Sequence, residues 1–232
     1  MAFDYVVCVR NVKNGQFGAE PGRTQFLEIP ALNSELPRSG KTGHEITRTE
    51  WVHKVLDQAK TGVNSKTGQP IGDLLVFIHG YNNNQDVVMW RHRRLKADLE
   101  AVGFAGAVVS FDWPSDDKAM LYLEDRDDAK ATARRLRDDC INLFSSQQVR
   151  GCEVRVHALG HSTGAYVIRQ AFGDADEVSK LKNRPWRVSQ VILIGGDISS
   201  RSLDHRDSKS KSLYRHCVRL TNYQNPFDSV LG

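Results

Sequence analysis

Val154-Arg155-Val156-His157-Ala158-Leu159-Gly160-His161-Ser162-Thr163-Gly164-Ala165 decides how this chain folds. Its first six residues form an apolar, β-branched run that predicts a strand. Ala165, Ile168 and Phe172 then recur at helical spacing. Between strand and helix lies G-x-S-x-G, from Gly160 to Gly164. A turn this tight needs small residues two positions either side of the serine, and it lifts the hydroxyl clear of the sheet. The following helix aims its N-terminus at the same spot, where negative charge is favoured. Ser162 is therefore the candidate nucleophile, and the Thr163 N–H is a candidate donor to a developing oxyanion. An idle serine in a glycine-rich turn would leave the flanking strand and helix unexplained.

Outward from this elbow the alternation recurs. Leu74-Leu75-Val76-Phe77-Ile78 is a continuous apolar run, as a strand buried on both faces requires. Val88, His92, Leu95, Leu99 and Val102 predict a helix, and Ala107 to Phe111 the next strand. Ala129, Ala133, Leu136, Cys140 and Leu143 mark an amphipathic helix. Val191 to Ile194 and Cys217 to Leu220 read as later strands. Such alternation predicts an α/β fold with right-handed crossovers, a mainly parallel sheet and helices on both faces. Upstream, Tyr5 to Val9 and Thr24 to Ile29 read as strands, with the turn pairs Asn14-Gly15 and Pro21-Gly22 between them. They predict an antiparallel N-terminal edge. Val52, Val55, Leu56 and Ala59 have helical spacing, whereas residues 31–45 and 61–72 read as loops. No repeat or linker divides the chain, so residues 1–232 read as one domain.

Composition narrows the partners. A net charge of +4 over 232 residues is too small to point to nucleic acid or an anionic membrane surface. The basic cluster Arg91-His92-Arg93-Arg94 with Lys96 reads as a solvated helix face. No signal-peptide pattern opens the chain, and no apolar run approaches the ~18 residues of a membrane span. The four cysteines lack C-x-x-C spacing and read as buried free thiols, which favours a reducing, cytoplasmic setting. No metal or cofactor is expected. Gly40-Lys41-Thr42 ends like a phosphate loop, but Glu35 stands where the first glycine must be. His157 and His161 are four apart on a strand and turn, not on one helix face. Asp125, Asp127 and Asp128 read as helix N-terminal charges rather than calcium ligands. Trp113 and Tyr122 follow a strand end and suit either a substrate pocket or ordinary packing.

His79-Gly80-Tyr81-Asn82-Asn83 follows the apolar strand at 74–78 directly. An oxyanion hole needs a second donor from a loop at the C-terminal edge of a neighbouring strand. Gly80 permits close approach, and the Tyr81 N–H is the candidate donor. Phe77-Ile78-His79-Gly80-Tyr81-Asn82-Asn83, Phe111-Asp112-Trp113-Pro114-Ser115, Tyr122-Leu123-Glu124-Asp125-Arg126-Asp127 and the elbow together resemble a bacterial α/β-hydrolase family of largely unknown function, with esterase- or lipase-like members. The resemblance covers most of residues 70–232. Thr163 stands where a methionine is more often expected, which leaves its backbone donor in place.

The resemblance implies an α/β-hydrolase fold and a catalytic triad in the order Ser, acid, His. Asp228 is favoured as the acid, because it follows the second strand after the elbow and Asn225-Pro226-Phe227-Asp228 is similar to the family's acid loop. Asp197, at the end of the preceding strand, is the alternative. The histidine is expected after one further strand, and the sequence stops at Gly232. His205 is the weak candidate left. His216 is expected to open a strand at the wrong edge of the sheet, and His79, His157 and His161 to play other parts. The chain is accordingly expected to lack its C-terminal strand and catalytic-histidine loop. The function expected is serine-dependent hydrolysis of a small-molecule carboxylic ester. A thioesterase or amidase on the same site, or a hydrolase-fold protein that binds without cleaving, are the alternatives.

Overall fold

A computed structural model of the chain describes residues 2–32, 34–115, 130–149, 151–178, 183, 186–208 and 210–225. Its strands are β1 (Phe3–Lys13), β2 (Gln16–Pro30), β3 (Glu45–Ile46), β4 (Lys60–Val63), β5 (Pro70–Ile78), β6 (Ala107–Asp112), β7 (Glu153–His161), β8 (Val188–Ile194) and β9 (Cys217–Tyr223). Among the described residues they form one sheet in the order β3-β2-β1-β6-β5-β7-β8-β9, with β4 on β5 off this path. From β1 to β9 neighbouring strands run parallel. β2 extends the N-terminal edge antiparallel, as expected, and β3 adds a two-residue strand beyond it that the sequence did not predict.

The central strand explains its own composition. β5 pairs with β6 on one side and β7 on the other, and Leu74 to Ile78 are all buried. Alternate residues of β1 feed the two faces of the sheet. Tyr5, Val7 and Val9 join the larger core with α1 (Arg48–Ala59), α3 (130–149) and α4 (Thr163–Ala175). Val6 and Cys8 meet Leu27, Ile29 and Met89 of α2 (Gln85–Ala101) on the opposite face. Helices therefore cover both faces. Trp51 of α1 is fully buried and donates its indole N–H to the Leu27 carbonyl at 3.1 Å. Thr47 and Asn84 cap α1 and α2 by accepting from Glu50 N and Val87 N.

Four expectations need correction. Pro21-Gly22 is not a turn, because it lies inside β2, where Pro21 pairs with Arg10 across a register shift. Residues 61–72 are not a plain loop, because β4 and the first residues of β5 pair there. His216 closes a short helix, α5 (Lys211–His216), instead of opening a strand. Its Leu213 is fully buried, and α5 packs on α4. The basic cluster is not simply a solvated face. His92 is buried against Ser110, and Arg93 reaches Asp4 at 2.8 Å. Burial alone would raise the Asp4 carboxyl, but His92, Arg93 and Lys96 outweigh it and bring it down to about 2.

Candidate active site

β7 runs straight into α4 through Ser162. This residue sits at φ 53° and ψ −124°, a positive-φ conformation that strains any residue with a Cβ. Two backbone bonds hold the turn from β8: the Ser162 N–H donates to Ile194 O at 3.0 Å, and the Asp197 N–H donates to Ser162 O at 3.1 Å. The glycines are needed for space. A Cβ at Gly160 would lie 2.8 Å from Ala165 N, and one at Gly164 would lie 2.2 Å from Ile78 O. The Ser162 hydroxyl caps no N–H of α4. Thr163 is the first residue of α4, so its N–H has no partner within the helix.

The loop after β5 packs on this elbow. A Cβ at Gly80 would lie 2.9 Å from both Ser162 Cβ and His161 O. A buried polar network fixes the loop from behind. The Asn83 side chain donates to Gly80 O at 2.7 Å and to Tyr81 O at 2.8 Å. The Ser115 hydroxyl lies 3.2 Å from the Asn83 N–H, which donates to it. Arg10, from β1, donates to Asp112 Oδ1 at 2.7 Å and to Asn83 O at 2.7 Å. Cys8 and Gln85 donate to the other Asp112 oxygen. Burial would raise the Asp112 carboxyl, yet the Arg10 charge foremost holds it well below the usual carboxylate range. Burial pushes the Cys8 thiol well up, and Asp112 adds to that.

His79 is a fully buried member of the same network. The Trp113 N–H donates to its Nε2 at 3.2 Å, and the Trp113 indole donates to its carbonyl at 2.8 Å. Nε2 is therefore an acceptor, and Nδ1 carries the proton that goes to Gly80 O at 2.8 Å. Burial lowers the His79 pKa, which favours this neutral form, while Asp112 opposes it. Trp113 is fully buried and stacks on His79, so it serves packing.

The other side of Ser162 is built differently. Asp197 is brought to the elbow through its backbone, on the turn after β8. Asp228 lies outside the described residues, as do Tyr122, Asp125, Asp127 and Asp128. His205 is 79% exposed and lies 3.5 Å from Asp204. His216 is buried, stacks on Trp186 at 3.9 Å between centroids, and contacts the Trp186 carbonyl. His157 meets Asp73 at 2.8 Å midway along β7 and β5, away from the elbow. Among the described residues no hydrogen bond joins a histidine to Ser162. Sequence reasoning missed Arg10, Asp112 and Ser115 as supports of the loop. Asp112 and Ser115 did lie within a motif that carried the family resemblance; Arg10 carries no sequence signal of its own.

A mainly parallel sheet with helices on both faces and a serine elbow at its C-terminal edge is the arrangement of an α/β hydrolase. Residues 56–232 match the family described as "Alpha/beta hydrolase of unknown function (DUF900)", and the chain belongs to that family. No curated protein matches it. Similar solved structures include a Trichoderma reesei cutinase in complex with a C11Y4 phosphonate inhibitor, at 15% identity and TM-score 0.40 over 68% of this chain. This chain spans 63% of that cutinase's length. A cutinase-like protein from Cryptococcus sp. matches at 15% identity and TM-score 0.40, over 69% of this chain and 79% of that one. Phospholipase PlaB from Legionella pneumophila matches at 19% identity and TM-score 0.34, over 54% of this chain and 25% of that one. No described helix is long and apolar enough to cross a membrane.

Proposed function

We propose that this α/β hydrolase is a serine hydrolase that cleaves small-molecule carboxylic esters through an acyl-enzyme on Ser162. The observation that carries the reading is the conformation of Ser162: φ 53° on a turn at the N-terminus of α4, with the Gly80 loop packed against it. Strain of this kind persists where surrounding structure enforces it, and here β8, two glycines and the Gly80 loop all do so.

In this reading Ser162 Oγ attacks the ester carbonyl, and the Thr163 and Tyr81 N–H groups receive the oxyanion. A histidine oriented by Asp228, or by Asp197, takes the serine proton and returns it to the departing alcohol. Water then releases the acid by the reverse sequence. Removing one oxyanion donor typically lowers the rate about 100- to 1000-fold. A thioester or amide would use the same groups, and the pocket would decide between them.

The test is labelling of the protein encoded by the complete reading frame with a fluorophosphonate, followed by mass mapping of the adduct. The expected result is one adduct on Ser162, absent in Ser162→Ala. A wild-type serine that takes no label would favour a hydrolase-fold binder over an enzyme. Turnover of p-nitrophenyl esters, thioesters and anilides by the same preparation then ranks the bond types.

A further inference from the structure

We propose that Arg10 is a positioning residue for the Tyr81 oxyanion donor, acting through Asp112, Asn83 and His79. The proposal rests on the serine-hydrolase reading of Ser162 and deepens it.

The argument begins with one peptide plane. In a trans peptide the carbonyl of Gly80 and the N–H of Tyr81 point in opposite directions. Whatever holds Gly80 O therefore aims the Tyr81 N–H. Two donors converge on Gly80 O: the Asn83 side chain at 2.7 Å and His79 Nδ1 at 2.8 Å. Both are buried, and a buried donor that loses its acceptor is costly. The peptide is thus pinned with its N–H on the side away from the network.

Each pin needs its own support. The Asn83 backbone carbonyl accepts from Arg10 Nη2 at 2.7 Å, which holds that residue's main chain from the β1 side. A neutral His79 donates from Nδ1 only in the tautomer whose Nε2 is bare, and that is the form that accepts from the Trp113 N–H. Asp112 lies 3.3 Å from the same Nε2 and would draw a proton onto it. Arg10 counters that pull, because its charge sits 2.7 Å from Asp112 Oδ1. One buried guanidinium therefore serves both pins. Arg10 comes from β1, outside the residues 56–232 that match the family. The N-terminal strand pair is on this account part of the catalytic apparatus and not only a sheet extension.

The test compares Arg10→Met, Arg10→Lys and, as control, Arg93→Met. Arg10→Lys can keep the charge beside Asp112 while losing the second bond to Asn83 O. Arg93→Met breaks an ion pair with Asp4 instead. Two measurements are made on each full-length, 15N-labelled protein. The first is the Tyr81 backbone amide resonance, which needs no catalysis. The second is the rate of Ser162 labelling by fluorophosphonate, with kcat and KM on a p-nitrophenyl ester.

Arg10→Met should move the Tyr81 amide and lower labelling and kcat by about 10- to 100-fold with KM little changed, the size expected for a misplaced catalytic group. Arg10→Lys should recover part of both, and should keep the experiment alive if Arg10→Met does not fold. Arg93→Met should lower stability with the Tyr81 amide and kcat unmoved. A Tyr81 amide unchanged in both Arg10 variants overturns the proposal, whether or not Ser162 reacts. Loss of kcat in Arg93→Met equal to that in Arg10→Met also overturns it, since a general loss of stability would then suffice. A wild-type protein that takes no label defeats the reading of Ser162 instead, and the amide measurement still decides the positioning.

Discussion

The two sides of Ser162 are held by different physics. On the β5 side, side chains from three separate stretches hold one loop: Arg10, His79 with Asn83, and Asp112 with Ser115. On the β8 side, backbone bonds tie the elbow, from Ser162 N to Ile194 O and from Asp197 N to Ser162 O. The histidines show the contrast. His79 is fully buried with both ring nitrogens engaged, whereas His205 is 79% exposed beside the Asp204–Arg206 ion pair. An oxyanion donor must be fixed before substrate arrives, because its value lies in not having to reorganise. That is the half of the site this fold makes rigid.

The hardest blow to the rigid side is Asp112→Asn. It leaves the Arg10 charge buried without its counter-charge, since Arg10 is only 5% exposed. Removing one partner of a buried ion pair destabilises by about 3–5 kcal/mol. Urea unfolding followed by circular dichroism measures this. A change below about 1 kcal/mol, the scale of a surface pair, would break the contrast between the two sides.

Next comes Gly164→Ala. Its methyl would meet Ile78 O at 2.2 Å, a backbone atom that cannot swing aside. Overpacking of this kind costs about 1–3 kcal/mol, and here the displaced strand end carries the Gly80 loop. Fluorophosphonate labelling should fall more than the stability change alone explains. Equal labelling in the variant would mean that the elbow and the loop are not mechanically joined.

These elements differ in how far the sequence revealed them. The elbow is legible because its cause is local: two glycines, an apolar strand and a helix within twenty residues. Asp112 and Arg10 are 102 positions apart, and no periodicity links them. β4 escaped notice because its four residues, Lys60 to Val63, are all exposed and show no alternating pattern, and it exists only through pairing with β5. α5 escaped for the opposite reason. It has six residues and no side-chain cap, and it is held by burying Leu213. Local pattern thus singled out Ser162 and its neighbouring loop. It did not name the buried charges that hold that loop, since those arise from chain segments that meet only when folded.

A graded effect should follow from pH. Burial holds His79 below its ordinary value of 6.5, with the Asp112 charge opposing and the Arg10 charge reinforcing. The unfolded chain therefore takes up a proton below about 6.5 that the folded state refuses, and stability falls as pH drops through that range. His44 and His216 are also lowered by burial and contribute with the same sign. Asp112, held low in the fold, adds a further loss at more acidic pH, below its ordinary 3.8. Urea midpoints at stepped pH should decline from neutrality downward, and His79→Gln should make the decline shallower without abolishing it. A variant with an unchanged slope would show that His79 is charged in the fold and that its Nδ1 proton is not specified by Trp113.

The smallest expected effect sharpens the comparison most. His205→Ala removes a ring that is 79% exposed, and its nearest charged neighbour is Asp204, which already pairs with Arg206 at 2.7 Å. Surface substitutions of this kind stay within about 0.5 kcal/mol. If His205 is not the base, the labelling rate of Ser162 should also stay at the wild-type value. A large loss of labelling with stability intact would instead mean that the segment carrying His205 closes onto Ser162 during reaction. The β8 side of the site would then supply the base by moving, while the β5 side supplies the oxyanion donor by staying still.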